Sequence, residues 1–184
     1  MDDPDDQTVR ARAKWHHTGR QRPEFALAPR PGQESVWDYP RPPRVVADVR
    51  AVRVIAFGVS IAATHRAVRV LETGSPPTFY LPPDDVRTDL LAPDPTTTYC
   101  EWKGHAAYFS VCVGGRTIAQ AAWRYSGPYS GYESIAGYFA FYPQKLACYV
   151  GEERVRPQPG AYYGGWVTRE VVGPFKGQPG TEEW

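Results

Sequence analysis

From Val45 onward the chain alternates apolar and polar positions in short runs. VVADVR, VRVIAF and SIAATHRAVRVLET set β-branched residues at every second position, the two-residue period of a half-buried strand, with Gly58 placed to turn the chain. These runs predict two or three strands of a meander. In PPTFYLPP, proline pairs enclose a short aromatic and aliphatic run, which excludes a helix and allows an edge or extended strand. Phe79 and Tyr80 then point to opposite sides. DDVRTDLL is the best helix candidate, with Asp84 as cap and Val86, Leu90 and Leu91 on one face. APDPTTT reads as a turn. TYCEWKG and HAAYFSVCV follow, and the Gly114-Gly115 pair joins the latter to RTIAQAAWRY in the clearest hairpin of the sequence. SGPYSG is a loop, and YESIAG is one helical turn. YFAFY and KLACYV read as a last strand pair, and Gly151 with Glu152 turns the chain into ERVRP.

The flanks lack this alternation. Residues 1–44 form an extended, proline-rich arm with aromatic anchors at Trp15, Phe25, Trp37 and Tyr39, which suit a segment lying against a domain better than a solvated tail. PRPPR at residues 40–44 fits a rigid lead into the first strand, or a polyproline ligand. Residues 45–157 form the β-domain. Residues 158–184, rich in glycine and aromatics without a clear period, form a wrapping tail. The fold class expected is mainly β: one antiparallel sandwich or barrel-like domain with one or two short helices and extended terminal arms.

Composition sharpens this picture. Six Trp, twelve Tyr and seven Phe in 184 residues suit pleated surfaces. Basic and acidic residues number 21 and 20, so no global field holds a polyanion, and nucleic acid is not expected as a general partner. No apolar run approaches about 18 residues. The start MDDPDD is acidic where a signal peptide needs basic residues and an apolar segment. A cytoplasmic location with no membrane partner is the expectation. Cys100, Cys112 and Cys148 are odd in number and widely spaced, unlike a disulfide framework or a zinc site. His16, His17, His65 and His105 show no metal-ligand spacing, so no metal is expected. Composition names no cofactor, and it leaves a homo-oligomer open.

Candidate chemistry gathers at Cys100, Glu101, Trp102, Lys103 and Gly104. On a strand, Cys100 and Trp102 share one face while Glu101 and Lys103 share the other. Lys103 can offer a cation to an anionic or carbonyl group, with Glu72 and the phenols of Tyr80 and Tyr125 as hydrogen-bonding or proton-transfer partners. Lys103, Glu72 and Tyr80 are the catalytic candidates. Tyr125, Trp123, Trp102 and Cys100 are the ligand-binding candidates, with Tyr99 and Tyr108 extending the aromatic wall. Against this stands a plainer reading, in which Lys103 is a solvated turn residue, Glu72 ends a strand, the tyrosines edge the core and Cys100 is inert.

VLETGSPPTFYLPPDDV, TTTYCEWKGHAAYFSV, AAWRYSGP and IAGYFAFY resemble consecutive blocks of the domain-of-unknown-function family 427, also described as a nucleotidyltransferase domain family. The resemblance covers about residues 45–155, with WHHTGR, QESVWDYPRPPR and VGPFKGQPGTEEW similar to the flanks of actinobacterial members. It implies a small all-β fold of the tent or sandwich type. Nucleotidyl transfer needs a glycine-serine turn followed by paired carboxylates for Mg²⁺. Gly74 and Ser75 precede Asp84 and Asp85, but PPTFYLPP cannot supply the helix that normally lies between. Two functions lead: a small-molecule-binding protein or enzyme with a pocket of Glu72, Tyr80, Lys103, Trp123 and Tyr125, or a non-catalytic interaction module using the arm and tail, open to homodimer formation; nucleotidyl transfer stays behind them as a third reading.

Overall fold

The computed structural model describes residues 4–181 and 184. In chain order the elements are α1 (Asp6–Arg12), β1 (Glu34–Ser35), β2 (Arg44–Asp48), β3 (Val52–Ala56), β4 (Val59–Thr64), β5 (Ala67–Glu72), β6 (Ser75–Tyr80), β7 (Leu91–Cys100) and β8 (Gly104–Val113). They continue through β9 (Arg116–Arg124), β10 (Phe139–Phe141), β11 (Ala147–Val150), β12 (Glu153–Arg154), β13 (Arg156–Pro157), β14 (Trp166–Val167) and β15 (Val171–Val172). The protein is mainly β. Two tight hairpins follow directly from turn chemistry. Phe57 and Gly58 join β3 to β4 with φ of 52° and 81°, and Gly114 and Gly115 join β8 to β9 with φ of 55° and 77°. Paired left-handed residues match the twist of the flanking strands.

Three larger antiparallel sheets result, in the orders β10-β9-β8-β7, β12-β11-β3-β4 and β2-β5-β6, and β13 pairs antiparallel with β14. A bridge between Leu81 and Phe139 links the end of the third sheet to the first. The arrangement is sandwich-like, and among the described residues no sheet closes into a barrel. β1 and β15 pair in parallel and so tie the arm to the tail. Asp48 braces the same region, accepting from Arg50 at 2.5 Å and lying 3.2 Å from Arg69. Among the described residues no helix is long and apolar enough to cross a membrane.

Alternation sorts the side chains into two layers. Phe79, Phe109, Phe139 and Phe141 face a main core that also holds Val52, Val54 and Ile61 from the opposing sheet. Their strand neighbours Tyr80, Tyr108 and Ala140 fall on the other face, with Trp123 and Tyr125. Burying each large apolar side chain contributes about 1.5–3 kcal/mol, so the first layer fixes the sheet register. The second layer is aromatic and hydroxyl-rich, and the arm and tail cover it.

The structure corrects several local expectations. DDVRTDLL forms two separate 3-10 turns, Pro83–Asp85 and Thr88–Leu90, with Val86 extended between them. The one α-helix among the described residues lies instead in the arm. Asp5 caps it by accepting from Thr8 N at 2.8 Å, and Asp6 and the Arg10/Arg12 pair sit at the ends that suit the helix dipole. APDPTTT is not a turn but part of β7, which tolerates Pro93 and Pro95 because it is an edge strand with a bulge between Asp94 and Thr97. YFAFY and KLACYV do not pair: β10 joins β9, whereas β11 joins β3 and β12. The stretch expected to form a meander of two or three strands holds four, β2 to β5, and they form no meander: β3 pairs with β4 in one sheet and β2 with β5 in another. The tail does more than wrap, since Trp166 is fully buried in the main core, stacked on Phe79 at 4.8 Å.

Candidate functional site

A glycine shapes the turn that carries Lys103. β7 and β8 pair Cys100 with Gly104, which leaves residues 101–103 as a three-residue hairpin loop. Gly104 takes the left-handed φ of 87° that closes such a loop. This corrects the strand expectation for the segment, because the loop breaks alternation. Cys100, Glu101 and Lys103 all line one cavity of 350 Å³, and Trp102 does not. Trp102 packs under Arg12 instead, whose guanidinium lies 5.1 Å from its ring centre.

The same cavity receives Glu72 from the end of β5, Tyr80 from the end of β6, Trp123 from β9 and Tyr125 just beyond it. Of the catalytic and ligand-binding candidates, all but Trp102 therefore line one cavity. Trp123 leans on Tyr142 at 4.5 Å and stands edge-on to Tyr80 at 6.4 Å. The Tyr108 hydroxyl lies 3.3 Å from that of Tyr142 and 3.1 Å from Thr98 Oγ1. These partners keep the aromatic wall in fixed orientations.

Lys103 is only 7% exposed, and its Nζ lies 5.9 Å from the Tyr125 ring centre. Among the described residues no carboxylate stands at ion-pair distance from it. Glu72 is committed to the buried Arg41 at 3.4 Å. Burial works against the Lys103 charge, but Cys100, Tyr80 and Glu72 outweigh it and move the pKa upward, so the group is an ammonium at neutral pH. Burial pushes the Tyr80 phenol up to about 12, with Lys103 opposing the shift. Burial likewise raises Tyr125 well above the usual phenol value. At neutral pH the lining thus offers two buried cations, Lys103 and Lys176, and neutral hydroxyls, beside the carboxylates of Glu72 and Glu101, and the cations and hydroxyls are a donor set suited to an oxyanion.

The arm and tail supply residues that sequence reasoning did not place here: Trp15, Tyr162, Tyr163, Gly164 and Lys176. Trp15 was legible only as an anchor. A larger depression of 990 Å³ lies beneath α1, lined by Thr8, Lys14, His16 and His105 among others. Size alone does not favour it, because the buried cation and fixed phenols belong to the smaller cavity.

Ser75 lines that cavity, but Asp84 and Asp85 do not. Asp85 accepts from Thr64 Oγ1 at 2.5 Å and from Arg66 at 2.8 Å, and Ser75–Tyr80 is a strand. The glycine-serine turn and the carboxylates are therefore not brought into one phosphate and metal site. Among the described residues no group of three His, Cys, Asp or Glu side chains could hold a metal ion. The three cysteines are free; Cys148 is buried, which raises its thiol pKa.

Fold and site together define a mainly β domain with a cation-bearing aromatic cavity on the second face of its sheet. A family model described as domain of unknown function DUF427 matches residues 44–152, and the chain belongs to that family. No curated protein matches the chain. The matched span contains Glu72, Tyr80, Cys100, Lys103, Trp123 and Tyr125, while Trp15 and Lys176 lie outside it.

Proposed function

We propose that the protein binds a small anionic molecule in the 350 Å³ cavity, with Lys103 meeting its carboxylate, phosphate or polarised carbonyl oxygen. One observation carries this reading: a nearly buried ammonium lines the cavity with no carboxylate at ion-pair distance among the described residues. A buried charge is costly unless paired, and an anionic ligand completes the pairing. Tyr80 and Tyr125 add neutral donors, and Trp123 offers a face for a planar portion of the ligand. The cavity volume falls within the usual range for small-molecule sites, about 300–1,000 Å³. In a reaction that follows binding, Tyr80 would serve as the proton donor and Glu72 as a second polar group of the lining.

A thermal-shift screen of small carboxylates, phosphates and oxo acids tests the proposal. A stabilising anion is expected to lose its effect in Lys103→Met and to retain part of it in Glu72→Gln. An anion that stabilises the parent and both variants equally removes these residues from the site. A second reading, an interaction module built on the arm, draws support from Phe25 and Leu27, which are 45% and 58% exposed. It predicts that their replacement by serine abolishes a complex without altering anion binding.

A further inference from the structure

The inner cavity and the groove under α1 share part of their lining. Trp15, Tyr99 and Glu101 belong to both. Trp15 Nε1 donates to Glu101 Oε1 at 3.1 Å, so side chains form part of the partition. Arg41 and Lys176 lie over the Trp15 ring at 4.2 and 3.9 Å. Such hydrogen bonds and cation–π contacts contribute about 0.5–2 kcal/mol each, far less than a core aromatic. Trp15 itself is only partly buried. α1 is fastened to the same place, since Arg12 Nε donates to the Glu101 carbonyl at 2.7 Å and the Thr8 hydroxyl meets that of Tyr99. The partition is thus a replaceable wall, hung on the hairpin that also carries Cys100 and Lys103.

We propose that Trp15 is the specificity-determining residue of this site, selecting ligands by size. The inference rests on the cavity being a ligand site. With the indole in place, a molecule anchored on Lys103 has the 350 Å³ of the inner cavity on its side of the partition, room for a compact single-ring acid. With the indole removed, the same anionic head carried on a longer body reaches into the 990 Å³ groove. Trp15 lies outside the residues matched by the family, so size selection resides in the arm while the anion-binding chemistry resides in the β-domain.

Cys100 lines the inner cavity and reports access to it without any anion. The experiment labels the full chain with iodoacetamide or with the much larger fluorescein-5-maleimide, and follows each cysteine by mass spectrometry. The first reagent alkylates sulfur with loss of iodide; the second adds sulfur across its double bond, with the thiol proton passing to the adjacent carbon. Cys112, half-buried on β8, serves as reference, and the buried Cys148 reports unfolding. In the parent chain, Cys100 is expected to accept the small reagent and to resist the large one relative to Cys112. Trp15→Ala is expected to raise the large-reagent rate at Cys100 by about tenfold, the effect of removing about 1.4 kcal/mol from the access barrier. The small-reagent rate should change little and Cys148 should stay silent. A Cys100 to Cys112 size ratio identical in parent and variant overturns the proposal. If Cys148 becomes reactive in Trp15→Ala, Trp15→Phe is used: it keeps the packing and loses the Nε1 donor, a smaller rise is expected, and an unchanged ratio again overturns the proposal. Because no anion is involved, this outcome is independent of whether Lys103→Met weakens anion binding.

Discussion

Gly164 of the tail lies flat against the cavity wall, and one added methyl group tests that closeness. A Cβ at this position would come 2.2 Å from Trp123 Cη2, 2.9 Å from Cζ3 and 3.3 Å from Cζ2. Ordinary contact begins near 3.4 Å, so Gly164→Ala obliges the ring or the tail to move by more than an ångström. The ring has little room to yield, because Trp123 is 6% exposed and packs on Tyr142 at 4.5 Å. Overpacking of this kind costs about 1–3 kcal/mol. For a chain of this size each kcal/mol lowers the midpoint by about 2–4 °C. Urea and thermal melts measure the loss, and tryptophan emission reports the displaced indole. Gly127→Ala is the control: nothing lies within 4 Å of its would-be Cβ and its φ is not left-handed, so a change within about 0.5 kcal/mol is expected. A Gly164→Ala protein that melts with its parent and keeps its emission spectrum would show that the tail does not bear on Trp123.

Two further substitutions probe the layers on either side of the sheet. Trp166 is fully buried, stacks on Phe79 and donates from Nε1 to the Phe141 carbonyl at 3.0 Å. Trp166→Ala should cost about 3–5 kcal/mol for the cavity alone, with more for the orphaned carbonyl; a loss below about 1 kcal/mol in urea melts would remove the tail from the core. Tyr80 ionises near 10.0 when unfolded and about 12 when folded, so above pH 10 the unfolded state sheds a proton that the native state keeps. Stability therefore falls between these values, by up to about 1.4 kcal/mol per pH unit from this group, and Tyr80→Phe should show a correspondingly shallower alkaline decline. Equal slopes in parent and variant would place Tyr80 in water.

Period-two patterning carried most of the fold. Phe79 and Tyr80 do face opposite layers, and the Gly114-Gly115 hairpin forms as its residues require. Pattern failed where local and tertiary signals compete. Proline in APDPTTT suggests a turn, yet an edge strand with a bulge needs no amide hydrogen at those positions. The Asp5 cap and the acid-to-base gradient of α1 were present in the sequence, but seven residues of helix have almost no periodicity to detect. At the site, Glu72, Tyr80, Lys103 and Tyr125 were recognisable by residue type and converge as a group. Trp102 was misplaced because alternation was carried through residues 101–103, where Gly104 closes a loop. Trp15 and Gly164 could not have been found, since only long-range packing of arm and tail brings them to the cavity.

A binding role for Lys103 differs from a purely structural one in what its removal does to an anion's affinity. Isothermal titration of the most stabilising anion into the parent chain and into Lys103→Met tests it most directly. Saturable one-to-one binding is expected, weakening by about tenfold or more when the ammonium is replaced, a loss of at least about 1.4 kcal/mol. Equal affinities in the two proteins, with both shown to be folded, would contradict it.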